Sequence, residues 1–312
     1  MLNRVFSDQI KELAKVLGFD DCGIADPALE ADDGFDFWLS QGFHNGLAWL
    51  ERSRDKRQQI ATVLPGVQSV IVVAANYYHP GGTDSLQSAK IARYAWRRDY
   101  HRVMKPRLQS LADWIRESQP GTECYYCVDT GPVRERPWAY RAGLGWIGKN
   151  SLLLHPVHGS WVHLGVILTT AKLVADRPLP DGCGSCTRCI DHCPTGAITA
   201  QRSIDTNKCI ACQTIERKTA PLSIPLHGWV FGCDLCQEIC PINHKLQHEG
   251  SCLEEARSSF SELTHASVAS LSEASFQDHF AGTPIMRAGY DCLRANALQA
   301  LENPLFPESK QG

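Results

Sequence analysis

The chain has 312 residues, 43% hydrophobic and 21% charged, with a net charge of −3 and fourteen cysteines. That length predicts two or three folding units, and that balance is ordinary for a globular protein. It excludes a uniformly basic nucleic-acid binder, while leaving room for a local basic patch.

The N-terminal string MLNRVFSDQIKELAKVLGF reads as an amphipathic helix and not as a secretory signal, with Val5, Phe6, Ile10, Leu13, Ala14 and Leu17 on one side. No apolar run is long enough to span a membrane. A reducing, cytoplasmic setting follows, and a disulfide framework does not. A second helical region covers about 34–60. The run Gln68 to Tyr78, rich in β-branched residues behind a Pro65-Gly66 turn, predicts a buried strand. A helix is predicted over about 98–118, with Leu108, Leu111, Ala112 and Ile115 on its apolar face. Further strands are predicted over Glu123 to Asp129 and in SLLLH and WVHLGVILTT. The breaker RPLPDGCG, Arg177 to Gly184, marks a boundary. Beyond the cysteine-rich part lie three helical strings, LEEARSSFSEL, LSEASFQDHF and GYDCLRANALQALEN, which suggest a solenoid fragment. The expected units are an α/β domain over 1–175, a ferredoxin-like domain over 176–246 and a helical repeat-like segment over 247–312.

The chemistry concentrates between Cys183 and Cys240. Cys183, Cys186, Cys189 and Cys193, followed by Pro194, reproduce the C-x2-C-x2-C-x3-C-P run of two-cluster ferredoxins. Cys209, Cys233, Cys236 and Cys240, with Pro241, form a second, degenerate group. In such proteins the last cysteine of a run reaches the other cubane. That crossing puts Cys183, Cys186, Cys189 and Cys240 on one 4Fe-4S cluster. Cys193, Cys209, Cys233 and Cys236 fall on the other. Zinc is the bland alternative for paired CxxC units, and the two CP endings argue against it. The other cysteines, Cys22, Cys124, Cys127, Cys212, Cys252 and Cys292, read as small buried hydrophobes.

Three features lie outside the clusters. AGLGWIGKNSLLL, Ala142 to Leu154, is glycine-rich, with Lys149 and Asn150 as donors; it suits either close backbone approach to a ligand or a tight interdomain loop. Asp129 ends a predicted strand before a Gly-Pro turn. It is placed for proton donation or simply for starting the turn. Lys90, Arg93, Arg97, Arg98, Arg102, Lys105 and Arg107 form a one-signed run with Tyr94, Trp96, Tyr100 and His101 interleaved. Such a patch suits phosphates and unstacked bases, the alternative being a solvated helix face.

Six strings together resemble the epoxyqueuosine reductase family, cobalamin-dependent iron–sulfur enzymes that finish queuosine in tRNA. They are RYAWRRDYH, VDTGPVRER, AGLGWIGKN, CGSCTRCIDHCPTGAI, the Cys233 to Cys240 group and GTPIMRAGYDCLRAN. The resemblance implies a corrinoid domain, two 4Fe-4S clusters and a C-terminal HEAT-like part. It implies Asp129 as proton donor and cobalamin contacts from Arg57, Tyr94, His101, Lys149 and Asn150. It also implies tRNA as substrate, with Arg97 and Arg98 expected on the anticodon stem-loop, and an external low-potential electron donor such as a flavodoxin or ferredoxin. The DxHxxG string that resembles the axial-histidine motif is absent: Asp99-Tyr100-His101 begins it, and Met104 replaces its glycine. The family reads near CISYLTIE after its lone cysteine, where this chain has CIACQTIE, so Cys212 competes with Cys209 as ligand. The chain ends at Gly312, short of the longer helical tail of some members, which implies fewer tRNA contacts. Competing readings are a reductive dehalogenase-like corrinoid enzyme, usually carrying a twin-arginine signal, and a ferredoxin-type electron carrier.

Overall fold

The computed structural model describes residues 2–29, 34–80, 88–199, 202–217, 224–245, 260 and 262–302. Its centre is a four-stranded sheet. The strands β1 (Asp21–Ala25), β2 (Ser69–Asn76), β4 (Cys124–Cys127) and β7 (Val162–Thr169) stand in the order β1-β2-β7-β4. Every pairing is antiparallel, with Val73 opposite Gly165 and Cys22 opposite Val73. The sheet thus departs from the parallel arrangement that an α/β reading carries. The reason is visible in β2, whose residues are all buried. Ile71, Val73 and Ala75 face one core; Val70, Val72 and Ala74 face another. Burial on both faces erases the polar–apolar alternation of an ordinary antiparallel strand.

The first face is covered by the helices Leu2–Val16 and Tyr100–Ser118, whose Phe6 and Trp114 rings stack at 5.5 Å. Phe6, Ile10 and Ala14 are buried as expected, whereas Val5, placed on the same side from sequence, is 57% exposed. Gly18, in the left-handed conformation, ends the first helix, and the Phe19 N–H turns back to the Ala14 carbonyl. The second face is covered by the short helix Glu135–Arg141. Its end sits so close to β1 that a Cβ on Gly23 would lie 2.2 Å from the Ala142 carbonyl oxygen.

The glycine-rich string forms a small hairpin, β5 (Trp146–Ile147) with β6 (Leu153–Leu154), turning through Lys149 and Asn150. Strand β3 (Lys90–Ile91) pairs in parallel with β8 (Trp229–Phe231). That pairing carries Ile91 and Trp96 into a core with Phe231, Phe276, Phe280 and Leu293. The region after 264 is helical, with helices at His265–Ala269, Glu273–Phe280 and Tyr290–Glu302. Most of the predicted helix LEEARSSFSEL, and Cys252, lie outside the described residues.

From Ala171 the chain runs without helix or strand to the first cysteines. The cysteine-bearing part is built of short helices: Arg188–Asp191, Ile210–Ile215, Leu235–Glu238 and Pro241–Lys245. A buried polar network docks it on the sheet. Ser160 N–H donates to Asn243 Oδ1 at 2.8 Å, Ser160 Oγ–H to Gln237 Oε1 at 2.8 Å, and the Tyr77 hydroxyl to the same oxygen at 3.1 Å. Arg93 adds an ion pair to Glu238, and its N–H donates to Asp234 at 2.7 Å. Removing one partner of such a network leaves buried polar atoms unsatisfied, so it fixes one docking geometry.

Candidate active site and cluster ligands

A pocket of about 960 Å³ opens where the end of β4, the start of the helix Tyr100–Ser118 and the segment 283–287 meet the helix Ile210–Ile215. Asp129 stands on its wall, just past β4, at φ +55°. Aspartate tolerates this left-handed conformation better than most residues. The turn is closed by the Thr130 N–H on the Val128 carbonyl at 2.6 Å. The carboxylate, its side chain 58% exposed, faces into the pocket.

His101 meets it there. Asp99 caps the long helix by accepting from the His101 backbone N–H at 3.0 Å, and it also accepts from His101 Nδ1 at 2.7 Å. The other ring nitrogen, Nε2, lies 3.3 Å from Asp129 Oδ2. Burial opposes a charge on His101, but the bonds to Asp129 and Asp99 outweigh it and raise the imidazole to about 9. For Asp129 burial pushes upward and the bond from His101 wins, holding it below the ordinary carboxylate value. At neutral pH the proton therefore rests on the imidazole, between two carboxylates. The bond from His101 thus outweighs burial in setting the state of Asp129. Behind it, Tyr100 stacks on His163 at 3.9 Å, and burial with the His101 charge pushes His163 down to about 3, so it stays neutral.

The expected cofactor contacts divide. Tyr94 and His101 line the pocket. Arg57 does not: it is buried behind the Asp129 turn and donates to the Gly131 carbonyl at 3.2 Å. Lys149 donates to the Gly184 carbonyl at 2.8 Å, and Asn150 to the Cys236 carbonyl at 3.5 Å, so both tie the hairpin to the cysteine segments. Arg97, expected on RNA, is only 7% exposed and donates to the Tyr78 carbonyl at 3.3 Å. Arg98, Arg102 and Lys105 are the exposed cations of that run, and Lys105 lines the pocket. Sequence reasoning missed Asp99, whose N-cap position before a helix was the available signal, and Arg287 on the opposite wall, bidentate to Glu216 at 2.8 and 2.7 Å.

Cysteines of the two runs are among one another's electrostatic neighbours. After burial, Cys240, Cys183 and Cys186 are the neighbours that push Cys189 up, and Cys183 and Cys186 push Cys240 up. In the other set, burial and then Cys236 and Cys209 raise Cys233. For Cys236 the neighbours after burial include Cys209, Cys193 and, from the first set, Cys189, so the two sets adjoin. Cys212 Sγ accepts from Asn45 Nδ2 at 3.7 Å, and Cys209 is among its electrostatic neighbours. Among the described residues no three His, Cys, Asp or Glu side chains close around a single ion.

An acid–base trio in an open pocket, set against paired thiol groups, defines a redox enzyme of the cluster-bearing class. The family described as Epoxyqueuosine reductase QueG, DUF1730, matches residues 57–130, and the 4Fe-4S double cluster binding domain matches 182–243. The epoxyqueuosine reductase of Gloeobacter violaceus is 44% identical over 304 residues, 94% of this chain and 95% of its own. That of Synechocystis is 40% identical over 288 residues, 88% of this chain and 96% of its own. A crystal structure of selenomethionine-labelled epoxyqueuosine reductase superposes with a TM-score of 0.87 at 27% identity, over 96% of this chain and 82% of that one. Another, with an epoxyqueuosine-modified tRNA-Tyr stem loop, gives 0.82 at 26%, over 96% and 81%. The chain belongs to the epoxyqueuosine reductase family. No helix among the described residues is long and apolar enough to cross a membrane.

Proposed function

We propose that this chain reduces epoxyqueuosine to queuosine at the wobble position of tRNA. The observation that carries the reading is the pairing of His101 with Asp129 on the wall of a pocket that abuts the second thiol set. Tyr94 lines the pocket, and its ring lies 3.6 Å from where a Cβ on Gly232, next to Cys233, would stand. In this reading residues 1–175 bind cobalamin, 176–246 carry two 4Fe-4S clusters on the eight cysteines assigned above, and 247–312 form a short HEAT-like segment.

The pocket fits a corrinoid in its size and in its aromatic wall of Tyr94 and Tyr100. His101 is held by two carboxylates and is not free to ligate a metal, in keeping with the missing DxHxxG string. When bound, cobalamin supplies the reductive chemistry at the epoxide carbon, fed with single electrons through the clusters from an external low-potential donor.

The protein's own residues handle protons. Opening the epoxide to the alkene takes two electrons and two protons, and the oxygen leaves as water. Asp129 would hand the departing oxygen one of these protons and be recharged by His101, which holds one at neutral pH, and the second proton would come from solvent. Asp99 fixes the ring so that Nε2 points at Asp129. The exposed cations Arg98, Arg102 and Lys105 meet the phosphates of the anticodon stem-loop. A relative supports the reading: the Bacillus subtilis enzyme, with a TM-score of 0.83, has been seen with its catalytic aspartate loop swung out of the active site.

The test is anaerobic turnover of epoxyqueuosine-containing tRNA with a strong reductant, cobalamin present or omitted. Mass spectrometry of the nucleoside digest should show cobalamin-dependent loss of one oxygen. No loss, with iron and cobalt both shown to be loaded, would contradict it.

A further inference from the structure

Four rings stand in a column that ends at the acid–base trio. His101 stacks on Tyr100 with ring centroids 4.1 Å apart. Tyr100 lies on His163 at 3.9 Å, the two planes within 9° of parallel. His163 in turn meets Tyr77 at 4.6 Å. The inner rings are fixed. Tyr77 is buried, and its hydroxyl donates to Gln237 Oε1 at 3.1 Å, within the network that docks the cysteine-bearing part. His163 is buried on β7, opposite Ala75 of β2. Two residues on, along the same face, is Gly165, where a Cβ would lie 2.8 Å from Leu108 Cδ1 of the long helix. The missing side chain lets the helix Tyr100–Ser118 settle onto β7, and its first residue meets His163 in flat contact. Tyr94, on the pocket wall, approaches Tyr100 and His163 edge-on at 6.3 and 6.2 Å.

We propose that His163 is a positioning residue, the flat seat that keeps the face of Tyr100 against the ring of His101. Asp99 and Asp129 hold His101 through its two nitrogens, in the plane of the ring. Neither governs what lies against the face of that ring. An aromatic face within about 6 Å stabilises a cation lying over it, through the negative quadrupole of the π system. Tyr100 offers that face while its own ring stays flat on His163. A histidine that only filled the core would be needed for its volume, which leucine nearly matches; a seat is needed for its flatness. His163 is neutral, since burial and then the His101 charge push it down to about 3, so replacing it removes no charge from the site. The charged groups that face the column are Asp99 and Asp129 at His101, Glu135 and Arg287 toward Tyr100, and Arg97 toward His163. None of them changes when His163 is replaced. The consequence for turnover rests on the reading of His101 given above; the seat itself does not.

The experiment compares His163→Leu, His163→Phe and wild type as holoenzymes with equal iron and sulfide. Hydrogen exchange at the imidazole C2 position, read by mass spectrometry over a pH series, gives the titration midpoint of His101 by itself, because no other histidine lies between His79 and His155. The alkaline limb of kcat for the modified tRNA is followed in parallel. In wild type the midpoint should fall near 9. H163L, which keeps the volume and loses the flat face, should lower it by about half to one pH unit. The alkaline limb should move down with it, at unchanged KM. H163F, which restores a flat ring, should keep both close to wild type. A midpoint in H163L equal to wild type would overturn the proposal, and H163L decides this by itself if the larger phenylalanine does not fold. An equal fall in H163L and H163F would overturn it too, since stacking would then not be the cause. A midpoint that falls while the limb stays in place would count against His101 as the proton source and leave the seat standing.

Discussion

His101 Nε2 lies 3.3 Å from Asp129 Oδ2, while Asp99 takes the Nδ1 side of the same ring at 2.7 Å. Both ring nitrogens therefore donate, and in the proposed reaction the imidazole carries the proton that Asp129 passes on. Its value of about 9 is raised above the ordinary histidine value, so the proton is present below that pH and lost as pH rises through it. The stability that this group contributes follows the same sign. It is complete below about 6.5, the unfolded value, and disappears as pH climbs toward 9.

Asp99→Asn should shift the alkaline limb of the kcat profile. In wild type the limb should fall near 9, where His101 loses its proton. Removing one of two supporting carboxylates should move it down by about one pH unit or more. A pH series under saturating tRNA reads this directly, and an alkaline limb that stays in place would remove Asp99 from the trio.

The basic run separates into outer and inner members. Replacing Arg98, Arg102 and Lys105 together by Ala should weaken tRNA binding and reduce the slope of log K against log salt by about two to three, near 0.7–0.9 per lost phosphate contact. Arg97→Ala should leave the slope unchanged. Because Arg97 is buried and bonded to the Tyr78 carbonyl, its loss should instead lower stability by about 1–3 kcal/mol. Binding isotherms at several salt concentrations, with a denaturation curve for each variant, distinguish the two.

Cys209 and Cys212 make opposite predictions for iron. Cys209→Ser should lose the second cluster and about half the iron, because Cys209 stands with Cys193, Cys233 and Cys236. Cys212→Ser should keep full iron, since its sulfur faces Asn45. Iron and sulfide analysis after anaerobic reconstitution decides between them.

Much of this was legible in the sequence, for identifiable reasons. The cysteine spacing by itself assigns the thiols to two cluster-binding groups. The helices Leu2–Val16 and Tyr100–Ser118 carry a 3.6-residue apolar stripe and one caps on Asp99. The strand direction in the sheet was not legible, because β2 is apolar on both faces and shows no period. Nor was the burial of Arg57 and Arg97. A run of cations reads as surface by default, and only tertiary contact shows that a carbonyl waits for each inside. The state of Asp129 depended on a histidine 28 residues away, which no local pattern announces.

The most direct test of the account is Asp129→Asn in protein shown to hold iron, sulfide and cobalamin at wild-type levels. Asparagine keeps the size of the side chain but cannot relay a proton from His101. The account predicts unchanged tRNA binding and a fall in single-turnover rate of about 10²–10⁴, the usual worth of a placed general acid. A rate within a fewfold of wild type would contradict it, and would place the proton donor elsewhere in the pocket.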